Sequence, residues 1–69
     1  MTGKVYAITE VVGSSEESVA DAIRTAVKTA SGTLRNLDWF EVTEIRGAIK
    51  GGDIADFQVT LKLGLLYDK

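Results

Sequence analysis

At 69 residues the chain is long enough for one domain, and a domain of this size buries only a thin core. It has no Cys and no His, which excludes disulfides and the usual soft-metal ligands, and Lys+Arg 8 against Asp+Glu 10 gives a net charge of −2 that argues against a nucleic-acid surface. There is no apolar run of membrane-spanning length and no apolar segment after Met1-Thr2-Gly3-Lys4, so the expectation is a cytoplasmic protein, neither crossing nor entering a membrane, that gains stability by oligomerising.

Residues 4–12 are rich in β-branched side chains and read as a first strand, ended by Gly13-Ser14-Ser15. Ser15 is the N-cap candidate for a helix over residues 16–31, with Glu16 and Glu17 in the first turn, where the helix dipole favours negative charge. Val19, Ala22, Ile23, Ala26, Val27 and Ala30 recur at helical spacing and make one apolar stripe. Lys28 suits the helix C-terminus and Gly32 is a natural residue to follow it. A long second strand spans 37–50, Gly51-Gly52 is a hairpin turn, and a third strand spans 54–67.

A two-residue loop pairs Lys50 with Asp53. Counting outward, Arg46 then faces Phe57, Ile45 faces Gln58, Val42 faces Leu61, Glu41 faces Lys62, Phe40 faces Leu63 and Trp39 faces Gly64. Phe40, Val42, Phe57, Val59, Leu61 and Leu63 share the face that meets the helix. Glu44 and Arg46 interrupt it, which calls for strands that outrun the helix or carry a bulge. The opposite face carries Trp39, Glu41, Thr43 and Ile45, then Gln58, Thr60 and Lys62. The expected fold is α+β: a β-α-β-β chain folded as a three-stranded antiparallel sheet of order 1-3-2, with one helix packed on one face.

Catalytic machinery is not legible. Ser residues cluster where capping explains them, Glu10, Glu41 and Glu44 form no tight pair, and there is no phosphate-binding glycine fingerprint. What remains is a binding face. The only Trp, Trp39, offers a ring for stacking. Gln58 offers an amide N–H and a carbonyl to a heterocycle edge, with Thr43, Thr60, Glu41 and Lys62 around them. On these residues alone, a Trp39 that merely packs a subunit interface and a solvated Gln58 stand equally well. Gly64, which Trp39 faces, and Gln58 are six residues apart along the third strand, roughly 20 Å at ~3.3 Å per residue. If Trp39 and Gln58 serve one ligand, the site lies between subunits.

Four stretches resemble the dodecins, small flavin-binding proteins: Thr9–Ser15, Thr33–Val42, Ile45-Arg46-Gly47 and Phe57–Gly64. The resemblance covers nearly the whole chain. It implies a hollow homododecamer holding flavins in pairs at two-fold contacts, with the isoalloxazine stacked on Trp39, Gln58 bonding its polar edge and Arg46 close by. Glu41, Thr43 and Thr60 are the polar neighbours of that site. It implies flavin storage or sequestration with quenched photochemistry; bacterial members favour FMN, with riboflavin and FAD as the other candidates, and some bind coenzyme A. Two departures stand out: Asp56 where many relatives have His, and Leu65-Leu66 where many bacterial members have Phe-Arg after the Gly. The second bears on coenzyme A. A non-catalytic scaffold is the alternative from another class.

Overall fold

Strand β1 (Tyr6–Ser15), helix α1 (Val19–Ser31), strand β2 (Leu37–Lys50) and strand β3 (Asp53–Leu66) follow one another along the chain. The computed structural model describes residues 3–67. The sheet order is β1-β3-β2 and both pairings are antiparallel, as the sequence predicts.

The junction between β1 and α1 differs from the sequence expectation. β1 does not end at Gly13 but runs on to Ser15. Gly13 serves packing rather than a turn. A Cβ there would collide with the Ala22 carbonyl and lie 2.8 Å from the Ala26 Cβ. Its absence lets α1 settle onto β1. The helix N-cap is Ser18, not Ser15: its Oγ accepts from the Asp21 amide at 2.9 Å. Ser15 instead orders the turn before the cap. Its Oγ accepts from the amides of Glu17 (2.9 Å) and Ser18 (3.3 Å) and donates to Asp21 Oδ2 (2.7 Å). Gly32 ends the helix with φ −75°, as a right-handed cap residue rather than a left-handed one.

The core lies between α1 and the centre of the sheet. Val59, Leu61 and Leu63 of β3 are closed off from solvent, and Ala22, Ala26 and Ala30 of α1 pack over them. Small residues on the helix let its axis approach the sheet. The branched residues on β3 then fill the space, which accounts for β3 being the central strand.

The β2–β3 hairpin turns at Gly51 and Gly52, both at positive φ (62° and 79°), with Lys50 opposite Asp53 as predicted. Its register carries three irregularities. Asp38 is extra on β2 between Leu37↔Leu65 and Trp39↔Gly64. Thr43 is extra on β2 between Val42↔Leu61 and Glu44↔Thr60, and Ala55 is extra on β3 between Ala48↔Asp56 and Ile49↔Ile54. The last two offset each other, so the stretch between them is slipped by one residue relative to both its flanks.

This slip corrects the uniform register read from the sequence. The pairs Trp39↔Gly64, Phe40↔Leu63, Glu41↔Lys62 and Val42↔Leu61 stand as expected. Arg46 faces Gln58 instead of Phe57, and Ile45 faces Val59 instead of Gln58. With a side-chain period of two, one extra residue exchanges the faces. Glu44 and Arg46 therefore leave the helix side for the outer face, and Ile45 moves to the helix side.

Candidate functional site

The outer face of the sheet, away from α1, is uncovered in the single chain. Ile8 and Val12 of β1 are 56% and 59% exposed there, and Trp39 is 38% exposed. Directly opposite Trp39 on β3 is Gly64, which is buried. A Cβ at Gly64 would collide with three carbons of the indole's six-membered ring. The glycine thus gives Trp39 a flat seat on the sheet backbone.

Tyr6, from the far strand of the same face, lies beside the indole. The two ring centroids are 5.8 Å apart with planes inclined at 57°. The Tyr6 hydroxyl donates to Asp38 Oδ2 at 2.8 Å. That hydrogen bond holds the Tyr6 phenol above its ordinary value of 10.0, with desolvation and the Asp38 charge acting in the same direction. Sequence reasoning placed Gly64 opposite Trp39 but assigned nothing to Tyr6 or Asp38. The available signal was topology: in the order 1-3-2, the start of β1 and the start of β2 flank the end of β3.

The polar groups lie toward the hairpin end. Arg46 and Gln58 are directly opposed across the slipped stretch, so the structure brings together two residues that a uniform register separates. The Arg46 guanidinium pairs with the Glu44 carboxylate, both well exposed. Gln58 Nε2 donates to Asp56 Oδ1 at 3.4 Å, and the same oxygen accepts from the Ala48 amide at 3.0 Å. Asp56 thereby ties an amide beside the Ala55 irregularity to the carboxamide of Gln58.

Glu41 and Lys62 face each other between the two ends. Thr60 lies opposite Glu44, and Thr43, the extra residue, donates its hydroxyl to the Thr60 carbonyl at 3.3 Å. Trp39 is not brought to Gln58. Six positions of β3 separate Gly64 from Gln58, about 20 Å at ~3.3 Å per residue. One face of one chain therefore presents a stacking end and a hydrogen-bonding end too far apart for one heterocycle. Among the described residues no three His, Cys, Asp or Glu come together as a metal site, and no helix is long and apolar enough to cross a membrane.

Comparison with known proteins places this geometry. The family model described as Dodecin matches residues 5–68. A curated protein named Dodecin, from Thermus thermophilus, is 52% identical over 67 residues, covering 97% of each chain. The solved structure of dodecin from Streptomyces coelicolor superposes with a TM-score of 0.92 at 52% identity, covering 100% of this chain and 99% of that one. Dodecin from Streptomyces davaonensis superposes with a TM-score of 0.91 at 48% identity, covering 99% and 100%.

Proposed function

Because the chain belongs to the dodecin family of small, non-catalytic flavin-binding proteins, we propose that it stores flavin, FMN first among the candidates, between subunits of a hollow homododecamer. The isoalloxazine stacks on Trp39 of one subunit, and Gln58 of another bonds the polar ring edge with Arg46 beside it. The observation that carries this reading is the seat of the indole. Trp39 lies on a glycine, with Tyr6 beside it, on a sheet face that the chain does not cover. A ring held flat by backbone on one side is a platform for a planar ligand on the other. The 20 Å gap to Gln58 makes a neighbouring copy the natural source of the second contact.

Stacking on an indole also accounts for the chemistry. An electron-rich indole in van der Waals contact with an excited isoalloxazine returns it to the ground state by electron transfer. That suits protection from light and needs no acid or base. Glu41, Thr43 and Thr60 shape the polar ground between the two ends. Leu65 and Leu66 supply no cation where many relatives have one, so coenzyme A binds more weakly here than in those relatives.

Titrating free FMN and riboflavin with flavin-stripped protein, followed by flavin fluorescence, tests the reading. Saturable quenching stoichiometric with chain is expected. Trp39→Ala should weaken affinity by about 1–3 kcal/mol, the range for an aromatic ring stacked on a base. An oligomer that leaves the fluorescence of both flavins untouched would turn the assignment to the scaffold alternative.

A further inference from the structure

The contact between Tyr6, Asp38 and Trp39 is more than a brace. We propose that Tyr6 and Asp38 form a proton-coupled electron relay that repairs Trp39 after light-driven oxidation. The inference rests on the flavin reading for its oxidant, but the relay itself is built from this chain alone.

The chemistry sets three requirements, and the geometry meets each. The first is an oxidisable ring within electron-exchange distance of the indole. Tyr6 stands 5.8 Å from it, centroid to centroid. The second is a proton acceptor. A phenol gives up an electron readily only if its proton leaves with it, and Asp38 Oδ2 lies 2.8 Å from the Tyr6 hydroxyl, inside the ~2.6–3.2 Å reach of a working base. The third is access for a reductant, and the Tyr6–Asp38 hydrogen bond is exposed. Tyr67, the other tyrosine, is 62% exposed and has no comparable indole contact.

The steps balance as follows. Trp39 gives one electron to a light-excited isoalloxazine and becomes an indole radical cation. Usually the electron comes straight back. Where it has gone on to dissolved oxygen, that return is closed and the radical would react irreversibly. Tyr6 then supplies one electron to the indole and passes its hydroxyl proton to Asp38. The products are neutral Trp39, a Tyr6 phenoxyl radical and a protonated Asp38. A small-molecule thiolate from solution donates one electron to the phenoxyl and leaves as a neutral thiyl radical, while Asp38 returns the proton to the Tyr6 oxygen. The tyrosine and carboxylate end as they began.

Pulsed photo-ionisation of Trp39 in the flavin-free protein tests this without any ligand. The indole radical should decay as phenoxyl absorption rises, in wild type and in Tyr67→Phe alike. Tyr6→Phe, which keeps the ring and removes only the hydroxyl, should abolish the phenoxyl signal and lengthen the indole radical lifetime several-fold. Asp38→Asn should slow the transfer while leaving Tyr6 in place. An indole radical whose lifetime Tyr6→Phe does not change, or a phenoxyl signal that disappears only with Tyr67→Phe, overturns the relay. Circular dichroism and gel filtration of each variant report folding separately. A wild-type protein that passes the radical test yet ignores flavin would sink the proposed function and leave the relay standing.

Discussion

The two ends of the β2–β3 hairpin obey different rules. At the near end, from Trp39↔Gly64 to Val42↔Leu61, β3 has β1 on one side and β2 on the other, and α1 packs against its inner face. At the far end β1 stops at Ser15↔Phe57, so β2 and β3 continue as a bare two-stranded arm. There Ile49 and Ile54 face each other with 79% and 59% of their surfaces exposed. The near end is held by its own chain. The far end has an apolar surface that the chain itself leaves uncovered. The stacking ring sits on the first and the hydrogen-bonding pair near the second, so the firmest part of the subunit carries the ring platform.

Truncating one apolar residue at each end and measuring urea unfolding tests how differently the two ends are held. Leu61→Ala should cost about 2–5 kcal/mol, because the site is closed and leaves a cavity. Ile49→Ala should cost about 0.5 kcal/mol or less in the separated subunit, as expected for an exposed position. In the assembled protein, Ile49→Ala should cost more and shift the assembly equilibrium on gel filtration. Equal costs at the two positions in separated subunits would show that the arm is not bare.

Gly64→Ala sharpens the near end. The new methyl occupies the indole's place, so Trp39 must swing away or the strands must part. Overpacking of this kind costs about 1–3 kcal/mol. The expected signature is a changed indole near-ultraviolet circular dichroism, with flavin quenching lost as in Trp39→Ala. Retained quenching would mean that the ligand does not need the seated ring.

The same contrast explains what could be read in advance. Element order, sheet order and the near-end register were legible, because Phe40, Val42, Leu61 and Leu63 alternate cleanly and Gly51-Gly52 pins the turn. The slip was legible only as one of two options, a bulge near Glu44 and Arg46, and its positions at Thr43 and Ala55 were not. Both are ordinary strand residues, and a bulge needs no special composition. The clue was the pattern Glu44-Ile45-Arg46, with an apolar residue flanked by charges on what a uniform register makes the inner face. Of the two readings it allowed, strands outrunning the helix or a bulge, the one-residue slip restores the alternation. The Ser15 cap and the strand end at Gly13 failed for a related reason. Gly and Ser signal a turn locally, but here the helix packing uses the missing Cβ and the turn comes three residues later. Of the site, Trp39 and its distance from Gln58 were legible, whereas the Arg46–Gln58 pairing depended on the slip.

At the far end, Asp56→Ala isolates what holds Gln58. Asp56 Oδ1 accepts from both the Ala48 amide and Gln58 Nε2. Its loss should cost about 0.5–1.5 kcal/mol, the range for one hydrogen bond at a site water can reach. Flavin affinity should fall modestly, with quenching of whatever binds intact, because Trp39 is untouched. Asp56→His should recover the affinity if an imidazole can take over the Ala48 contact. A variant with full affinity would mean that Gln58 is positioned by the neighbouring subunit rather than by its own strand.

The smallest effect returns to the near end and concerns Tyr6. In a Tyr67→Phe background, phenolate absorbance reports Tyr6 alone, since the chain has two tyrosines. The Asp38 hydrogen bond raises the folded pKa of Tyr6 above its unfolded value. A raised folded pKa means that the hydrogen bond supports the fold fully below the ordinary tyrosine value of 10.0 and loses that support as pH climbs through the folded one. Asp38→Asn should therefore move the Tyr6 titration down toward 10.0, since the amide accepts a weaker bond and carries no charge to oppose the phenolate. The near-ultraviolet circular dichroism of Trp39 should change together with the Tyr6 titration in the parent and no longer do so in the variant. A Tyr6 that titrates identically with and without the Asp38 carboxylate would show that the bond is not kept in solution, and the contact of Tyr6 with the indole would then rest on ring packing alone.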